Sequence, residues 1–298
     1  MSTRNFGRYS FEASNEDKEL FPEAGITKGE LIDYYTEMAQ YMLPHTRDRA
    51  LSMQRFPEGI DEGGFYQKNA ADYFPSWIQT ATLSKHEGGT TDAPIAHTGA
   101  ALAWLANQAM ITPHLWLSRV DRPDIPDRML FDLDPSGKRF TEVVDAALAL
   151  HDFCREELNL PSFVMTTGSR GMHVVIPLRR ERPFDEVRVM AMRICDAVAE
   201  RHPERFTTEQ RKNRREGRLY LDATRNAYGM HSVAPYGVRA IPGAPVAAPL
   251  TWEEVRKRRH SLHADTYTVR NIRRRLAKRE DPWKGMRRHA VSLPDRIE

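Results

Sequence analysis

Leu31, Tyr34, Tyr35, Met38, Tyr41 and Met42 recur three or four residues apart, the apolar stripe of an amphipathic helix. Thr27 and Glu30 have the spacing of a capping box at its start, and Pro44 is expected to stop it. Between Arg49 and Thr98 the periodicity breaks up. Pro57-Glu58-Gly59, Gly63-Gly64 and Gly88-Gly89 separate short strand candidates, which reads as an irregular β lobe. A second helix is expected from Thr98 through Met110, with Leu102, Leu105 and Ala106 apolar. After Asp134 helices and strands alternate more regularly: a helix over 141–158, a strand over 162–166, a Gly-Ser-Arg-Gly turn and a strand over 173–178. A helix over 184–201 follows, carrying Val187, Met190, Ala191, Ile194 and Val198 on one side. A short strand over 218–222 and an extended run over 246–250 precede a last helix beginning at Thr251, again with a Thr-x-x-Glu capping pattern. The pattern predicts an α+β chain: a mixed central sheet with packed helices, plus an N-terminal α/β lobe.

A chain of 298 residues with 40% hydrophobic content has enough apolar side chains for a large core, as one domain or two joined lobes. No window approaches the roughly 20 apolar residues that span a bilayer. The N-terminus through Glu12 is polar, without the apolar core of a signal peptide, so a soluble, cytosolic chain with no membrane partner is expected. Cys154 and Cys195 both fall in helix-like stretches and read as reduced, packed thiols rather than a disulfide or a zinc site. The net charge is only +3, but the basic residues cluster at 211–215, 256–260, 270–279 and 287–288, away from the acidic stretches near 12–23 and 58–62. Such asymmetry suits a polyanionic partner, although a basic run is commonly just a solvated helix face.

The candidate chemistry starts at Met129-Leu130-Phe131-Asp132-Leu133-Asp134-Pro135. In a strand Asp132 and Asp134 share a face while Phe131 and Leu133 enter the core. Two adjacent carboxylates repel each other unless solvated, protonated or bridged by a cation, and hard divalent ions are the usual bridge. Pro135 puts the pair at a strand end. Leu219-Tyr220-Leu221-Asp222 repeats the logic, an apolar strand ending in an acid and followed by Arg225 and Asn226. Between them, Thr167-Gly168-Ser169-Arg170-Gly171-Met172-His173 forms a glycine-bearing turn whose amides, arginine and histidine suit phosphate oxygens. Arg239 stands in the Pro-punctuated stretch Ala234-Pro235-Tyr236-Gly237-Val238-Arg239.

Taken in order, these segments and Pro245-Val246-Ala247-Ala248-Pro249-Leu250 resemble the polymerase domain of bacterial DNA ligase D, in the archaeo-eukaryotic primase superfamily. The resemblance extends through Lys18-Glu19-Leu20-Phe21-Pro22, Thr27-Lys28, Tyr34-Tyr35, Gly64-Phe65-Tyr66-Gln67-Lys68 and Ala103-Trp104-Leu105-Ala106-Asn107-Gln108, with His114 beyond. It implies a primase fold with an RRM-like catalytic core in a single domain, 1–298, with sub-lobes 1–125 and 126–298. The activity implied is template-directed nucleotidyl transfer to a primer end at gaps and double-strand breaks, in non-homologous end joining. Asp132, Asp134 and Asp222 would hold two divalent ions, Mn²⁺ or Mg²⁺. Thr167, His173 and Arg239 would contact an NTP or dNTP, with a leaning toward ribonucleotides, joined by His114, Arg170 and Arg55. Lys18 and Lys28 would bind the 5′-phosphate across a DNA gap, and Phe65 and Tyr66 would stack on template bases. Ku and an ATP-dependent DNA ligase are the implied partners, at the nucleoid.

The match departs from the pattern in three places. Gln54 stands before Arg55 where a basic residue is common, Thr167 replaces the usual serine and Arg170 the usual lysine. Two other readings fit part of the chain. Phe131-Asp132-Leu133-Asp134 resembles the nucleophile motif of haloacid-dehalogenase-like phosphatases, but Pro135-Ser136 follows instead of Gly-Thr and a long lobe precedes it. A non-catalytic DNA-end-binding module would account for the basic runs but has no use for three strand-end acids beside a polyanion. The charged, Pro-containing end, 293–298, suits either a terminus or a linker to a larger ligase.

Overall fold

The structure is a computed structural model and describes residues 2–85, 88–135, 137 and 139–295, so positions 296–298 of the Pro-containing end lie outside the described residues. In chain order the elements are β1 (Ser2–Phe6), β2 (Tyr9–Ala13), β3 (Glu19–Phe21), β4 (Ile26–Thr27), α1 (Lys28–Thr46), β5 (Leu51–Arg55), β6 (Phe65–Gln67), β7 (Gln79–Ser84), β8 (Thr90–Ile95), α2 (Gly99–Asn107) and β9 (Met110–Trp116). They continue as β10 (Ser118–Arg119), β11 (Arg122–Pro126), β12 (Arg128–Leu133), α3 (Phe140–Glu156), β13 (Phe163–Thr166), β14 (Met172–Pro177), α4 (Phe184–Arg201), β15 (Phe206–Thr207), β16 (Leu219–Asp222), β17 (His231–Val233), β18 (Pro249–Leu250), α5 (Trp252–Lys257) and α6 (Ile272–Leu276). Two compact units result. The first takes residues 1–121, 231–247 and 267–275, and the second 122–230, 248–266 and 276–298. A single cut at 125 therefore does not describe the division, because the chain returns twice to the first unit.

In the first unit the antiparallel sheet runs β17-β9-β5-β6. Helix α1 packs on α2 and buries Leu31, Tyr34, Tyr35, Met38 and Met42 of the predicted stripe, together with Ile32, while Tyr41 is only half-buried. The capping box is present in both directions, Glu30 N donating to Thr27 Oγ1 and Thr27 N to the Glu30 carboxylate. Pro44 does not end the helix, which continues to Thr46. So near the C-terminus the missing N–H costs one backbone bond, and tertiary burial of His45 and Thr46 outweighs it. The second expected helix stops at Asn107, and Ala109 at φ 56° turns the chain into β9 instead.

The second unit holds the six-stranded sheet β15-β16-β12-β14-β13-β18, antiparallel except for β15 beside β16. Helices α3 and α4 pack on it, covering the face of Phe131 and Leu133, both fully buried. Helix α4 spans the residues its periodicity predicts. Cys154 in α3 and Cys195 in α4 are free and buried. No helix among the described residues is long and apolar enough to cross a membrane.

Candidate functional site

Strand pairing in the second unit sets one row of side chains across the sheet. Asp222 on β16 lies opposite Asp132 on β12, and Asp132 lies opposite His173 on β14. Directly opposed residues of antiparallel strands share a face, so the two acids and the histidine project together, away from the side covered by α3 and α4. Asp134, two residues on, continues the Asp132 face past the strand end and is exposed.

Burial raises the proton affinity of the Asp132 carboxyl, and His173 and Arg225 overcome it, holding the group at about 2. His173 Nε2 stands 3.4 Å from one Asp132 oxygen and Arg225 Nε donates to the other at 3.3 Å. The proton affinity of Asp134 is shifted the opposite way, by partial desolvation and by the charge of Asp132, against the Arg170 guanidinium that donates to it at 3.0 Å. Asp222 uses one oxygen to accept from Thr224 N at 2.7 Å. Among the described residues no three His, Cys, Asp or Glu side chains stand close enough to form a closed metal cage. The donor chemistry nonetheless fits hard divalent ions: carboxylate oxygens only, two of the acids opposed across strands, and arginines supplying the positive charge that such a cluster requires.

The predicted turn lies beside the acids. Thr167 Oγ1 donates to Gly171 O and accepts from Gly171 N and Ser169 N, while Thr167 N also donates to Gly171 O at 2.9 Å. The hydroxyl is thus a staple inside the turn, the role a serine would also fill. Gly168 takes φ 69°, which only glycine adopts without cost. Gly171 is required for another reason: a Cβ there would run into Leu133 O and come within 2.8 Å of Asp134 Oδ1. Arg170 is exposed, whereas His173 is buried and its Nδ1 lacks a partner among the described residues.

Arg225 and Asn226 were visible in the sequence but carried no assignment. The fully buried Asn226 side chain accepts from Leu130 N and donates to Leu130 O, at 2.9 and 2.7 Å, continuing by side chain the pairing of β12 where β16 ends. Their signal was the Asp-x-x-Arg-Asn spacing after β16.

In the first unit, Tyr35 OH accepts from Val238 N at 3.0 Å and Tyr34 OH donates to Tyr236 O at 2.7 Å. Thr112 Oγ1 donates to Val238 O, so α1 and β9 together fix the half-buried Arg239. His114 on β9 lies against Tyr66 on β6, ring centroids 5.5 Å apart, and against His231 on β17 at 5.2 Å. His231 is a neighbour that the sequence did not single out. Arg55, expected with the nucleotide contacts, stands beside Phe65, on the face of β6 opposite to Tyr66 and His114.

Lys18 and Lys28 are brought together, with Lys28 N donating to Lys18 O. Lys28 is buried and donates from Nζ to Ser14 Oγ and Asn107 O at 3.1 and 3.3 Å. Burial lowers its proton affinity, opposed by Glu16 and reinforced by Lys18. Lys18 is ion-paired with Glu58.

The model of the family described as the LigD primase-polymerase domain matches residues 27–283. The multifunctional non-homologous end joining protein LigD of Mycolicibacterium smegmatis is 34% identical over 81% of this chain and 32% of its own length. LigD of Pseudomonas aeruginosa is 32% identical over 91% of this chain and 32% of its own length. The bifunctional LigD of Bacillus subtilis is 30% identical over 90% of this chain and 42% of its own length. The chain spans about a third of the first two curated relatives. The solved polymerase domain of Mycobacterium tuberculosis ligase D, in complex with DNA, superposes with a TM-score of 0.87 at 30% identity, covering 94% of this chain and 99% of that one. The expected α+β primase fold is therefore the observed one.

Proposed function

The chain belongs to the family of LigD primase-polymerase domains, and from that premise we propose that it is a template-directed nucleotidyltransferase filling gaps at DNA breaks during end joining. The observation that carries the reading is the row Asp222, Asp132 and His173 beside the Asp134 strand end and the stapled 167–171 turn. Divalent ions, Mn²⁺ or Mg²⁺, held by Asp132, Asp134 and Asp222 would supply Lewis-acid stabilisation for in-line attack of a primer 3′-hydroxyl on the α-phosphate. The chain's own residues do the rest. His173 and Arg225 keep Asp132 ionised. Arg170 and the turn amides offer donors to a polyphosphate whose charge rises in the transition state. Thr167 keeps the turn closed, and His114 and Arg239 complete the nucleotide contacts. Lys18 and Lys28 select a 5′-phosphorylated gap, and Tyr66 and Phe65 stack on the template. A ribonucleotide preference, a ligase and a Ku-like end-binding partner, and action on chromosomal DNA in the cytoplasm belong to the same proposal.

Primer extension on a 5′-phosphorylated gapped duplex, with NTP against dNTP and Mn²⁺ against Mg²⁺, tests the reading. Asp132→Ala and Asp222→Ala are expected to lose at least a thousandfold in extension while DNA affinity changes less than threefold. Undiminished extension by either variant removes the metal assignment.

A further inference from the structure

Loop 68–78, between β6 and β7, carries an aromatic side chain that the proposed reaction does not use. Tyr73 is 57% exposed, more than either Phe65 at 49% or Tyr66 at 51%. An exposed tyrosine alone has no meaning, but this one is held. Phe74 packs edge-on against Trp104 of α2 at 4.6 Å, and Tyr73 lies 6.4 Å from the same indole. Ala70 N donates to Asp92 O of β8, tying the loop down at its start. The aromatic ring is therefore presented to solvent from a fixed base.

Its hydroxyl accepts from Arg55 Nη1 at 2.8 Å. The same guanidinium donates to Gln67 Oε1 and Gln108 O, at 2.6 and 2.7 Å, and its carbon stands 5.5 Å from the Phe65 ring centroid. All three acceptors are neutral. Among the described residues Arg55 meets no carboxylate, and Nη2 has no acceptor, in a chain where many other arginines are ion-paired. A full positive charge is thus oriented between two exposed aromatic rings and, among the described residues, met by no carboxylate. Aromatic faces interleaved with a guanidinium match a single nucleic-acid strand, bases on the rings and phosphate on the arginine. A phosphate-free apolar partner would leave the Arg55 charge buried without compensation.

We propose that Tyr73, Arg55 and Phe65 form a subsite for the single-stranded template overhang, on the face of β6 opposite to Tyr66 and His114. The subsite rests on the polymerase reading and assigns Arg55 to a template phosphate rather than to the incoming nucleotide. Two of its three residues lie on adjacent strands and the third comes from the loop, so one strand of nucleic acid passing the edge of β6 meets all of them.

The test uses a 5′-phosphorylated duplex with a single-stranded template overhang carrying 2-aminopurine, and a blunt duplex as reference. With the unmodified protein, 2-aminopurine fluorescence is quenched on binding, as expected of a base stacked on a ring. Tyr73→Ala is expected to lose that quench and to bind the overhang about tenfold more weakly, from stacking of roughly 1–3 kcal/mol per base, while blunt-duplex affinity holds. Tyr73→Phe keeps the ring and is expected to keep the quench. Arg55→Gln lowers the slope of log affinity against log salt by about 0.7, one phosphate contact on a single strand. Thermal unfolding of each variant matches the unmodified chain. An unaltered overhang affinity in Tyr73→Ala, or a Tyr73→Phe variant as impaired as Tyr73→Ala, overturns the subsite. Absence of any primer extension by the unmodified protein, with the Tyr73-dependent quench intact, would instead overturn the polymerase reading and with it the template role, leaving only a site that binds a single strand.

Discussion

The least replaceable residue near the acids carries no charge. Gly171 faces Leu133 O and Asp134 Oδ1 so closely that a methyl group has no room, and the obstacle is backbone rather than a flexible side chain. Alanine there must push the turn away from the end of β12, which moves Asp134 and loosens the hydrogen bonds of Thr167. Overpacking of this kind costs about 1–3 kcal/mol. Gly171→Ala is expected to lower the free energy of denaturant unfolding by that amount and to reduce extension sharply. Equal extension rates for Gly171→Ala and the unmodified chain would show that Asp134 need not be held where the turn puts it. The acids themselves were legible from residue pattern, since D-x-D before a proline can hardly sit elsewhere than a strand end. Their counter-charges were not: Arg225 approaches Asp132 only because β16 lies beside β12, a pairing between residues 90 positions apart that no local periodicity encodes.

Among the elements, α3 is fastened by a buried histidine rather than by apolar packing alone. His151 Nδ1 lies 2.8 Å from Ser162 Oγ at the entry to β13, and its ring stacks on Trp252 of α5 at 4.0 Å, while Trp252 Nε1 donates to Ser162 O. Burial pushes the imidazole down to about 4. The unfolded chain takes up this proton near pH 6.5 and the folded chain only near 4, so the unfolded state binds more protons between the two values. Stability is therefore expected to fall as pH drops from about 6.5 to 4, by on the order of 3 kcal/mol from this group, and to level off below. Urea unfolding of the unmodified chain and of His151→Asn at pH 7.5 and 4.5 checks it, the variant losing the pH-dependent difference. Element boundaries were legible where burial is one-sided, as in α4, whose stripe predicts its residues throughout. Strand β9 was missed because Pro113 sits in a central strand, where a proline argues against sheet. Its carbonyl still pairs, accepting from Ala234 N, a bond that depends on a residue 121 positions away.

Across the whole molecule, the clustered arginines read as a polyanion-binding surface prove to be partly engaged within the protein. Asp145 is bound by both Arg205 and Arg259, Arg256 pairs with Asp152, and Arg270 and Arg273 pair with Glu30 and Glu37 of α1. Exposed pairs of this kind are worth about 0–1 kcal/mol each, but they cancel charge that a count along the sequence leaves standing. Electrostatic selectivity is better placed where like charges are forced together. Lys28 is buried, its ammonium partly stripped of water and close enough to Lys18 for the two to repel, with Glu16 and Glu58 as incomplete compensation. A phosphate dianion relieves both, whereas a 5′-hydroxyl relieves neither. Hydrogen bonds to charged groups contribute about 1.5–3 kcal/mol, so the unmodified chain is expected to bind a 5′-phosphorylated gap roughly 10- to 100-fold more tightly than the same gap ending in a hydroxyl. Lys18→Ala combined with Lys28→Met, which keeps the buried aliphatic stem, should bring that ratio close to one with little change in affinity for the unphosphorylated gap. Titrating both gapped duplexes against both proteins decides it, because a general basic surface would weaken binding to the two gaps alike, and only a dedicated phosphate site weakens one and spares the other.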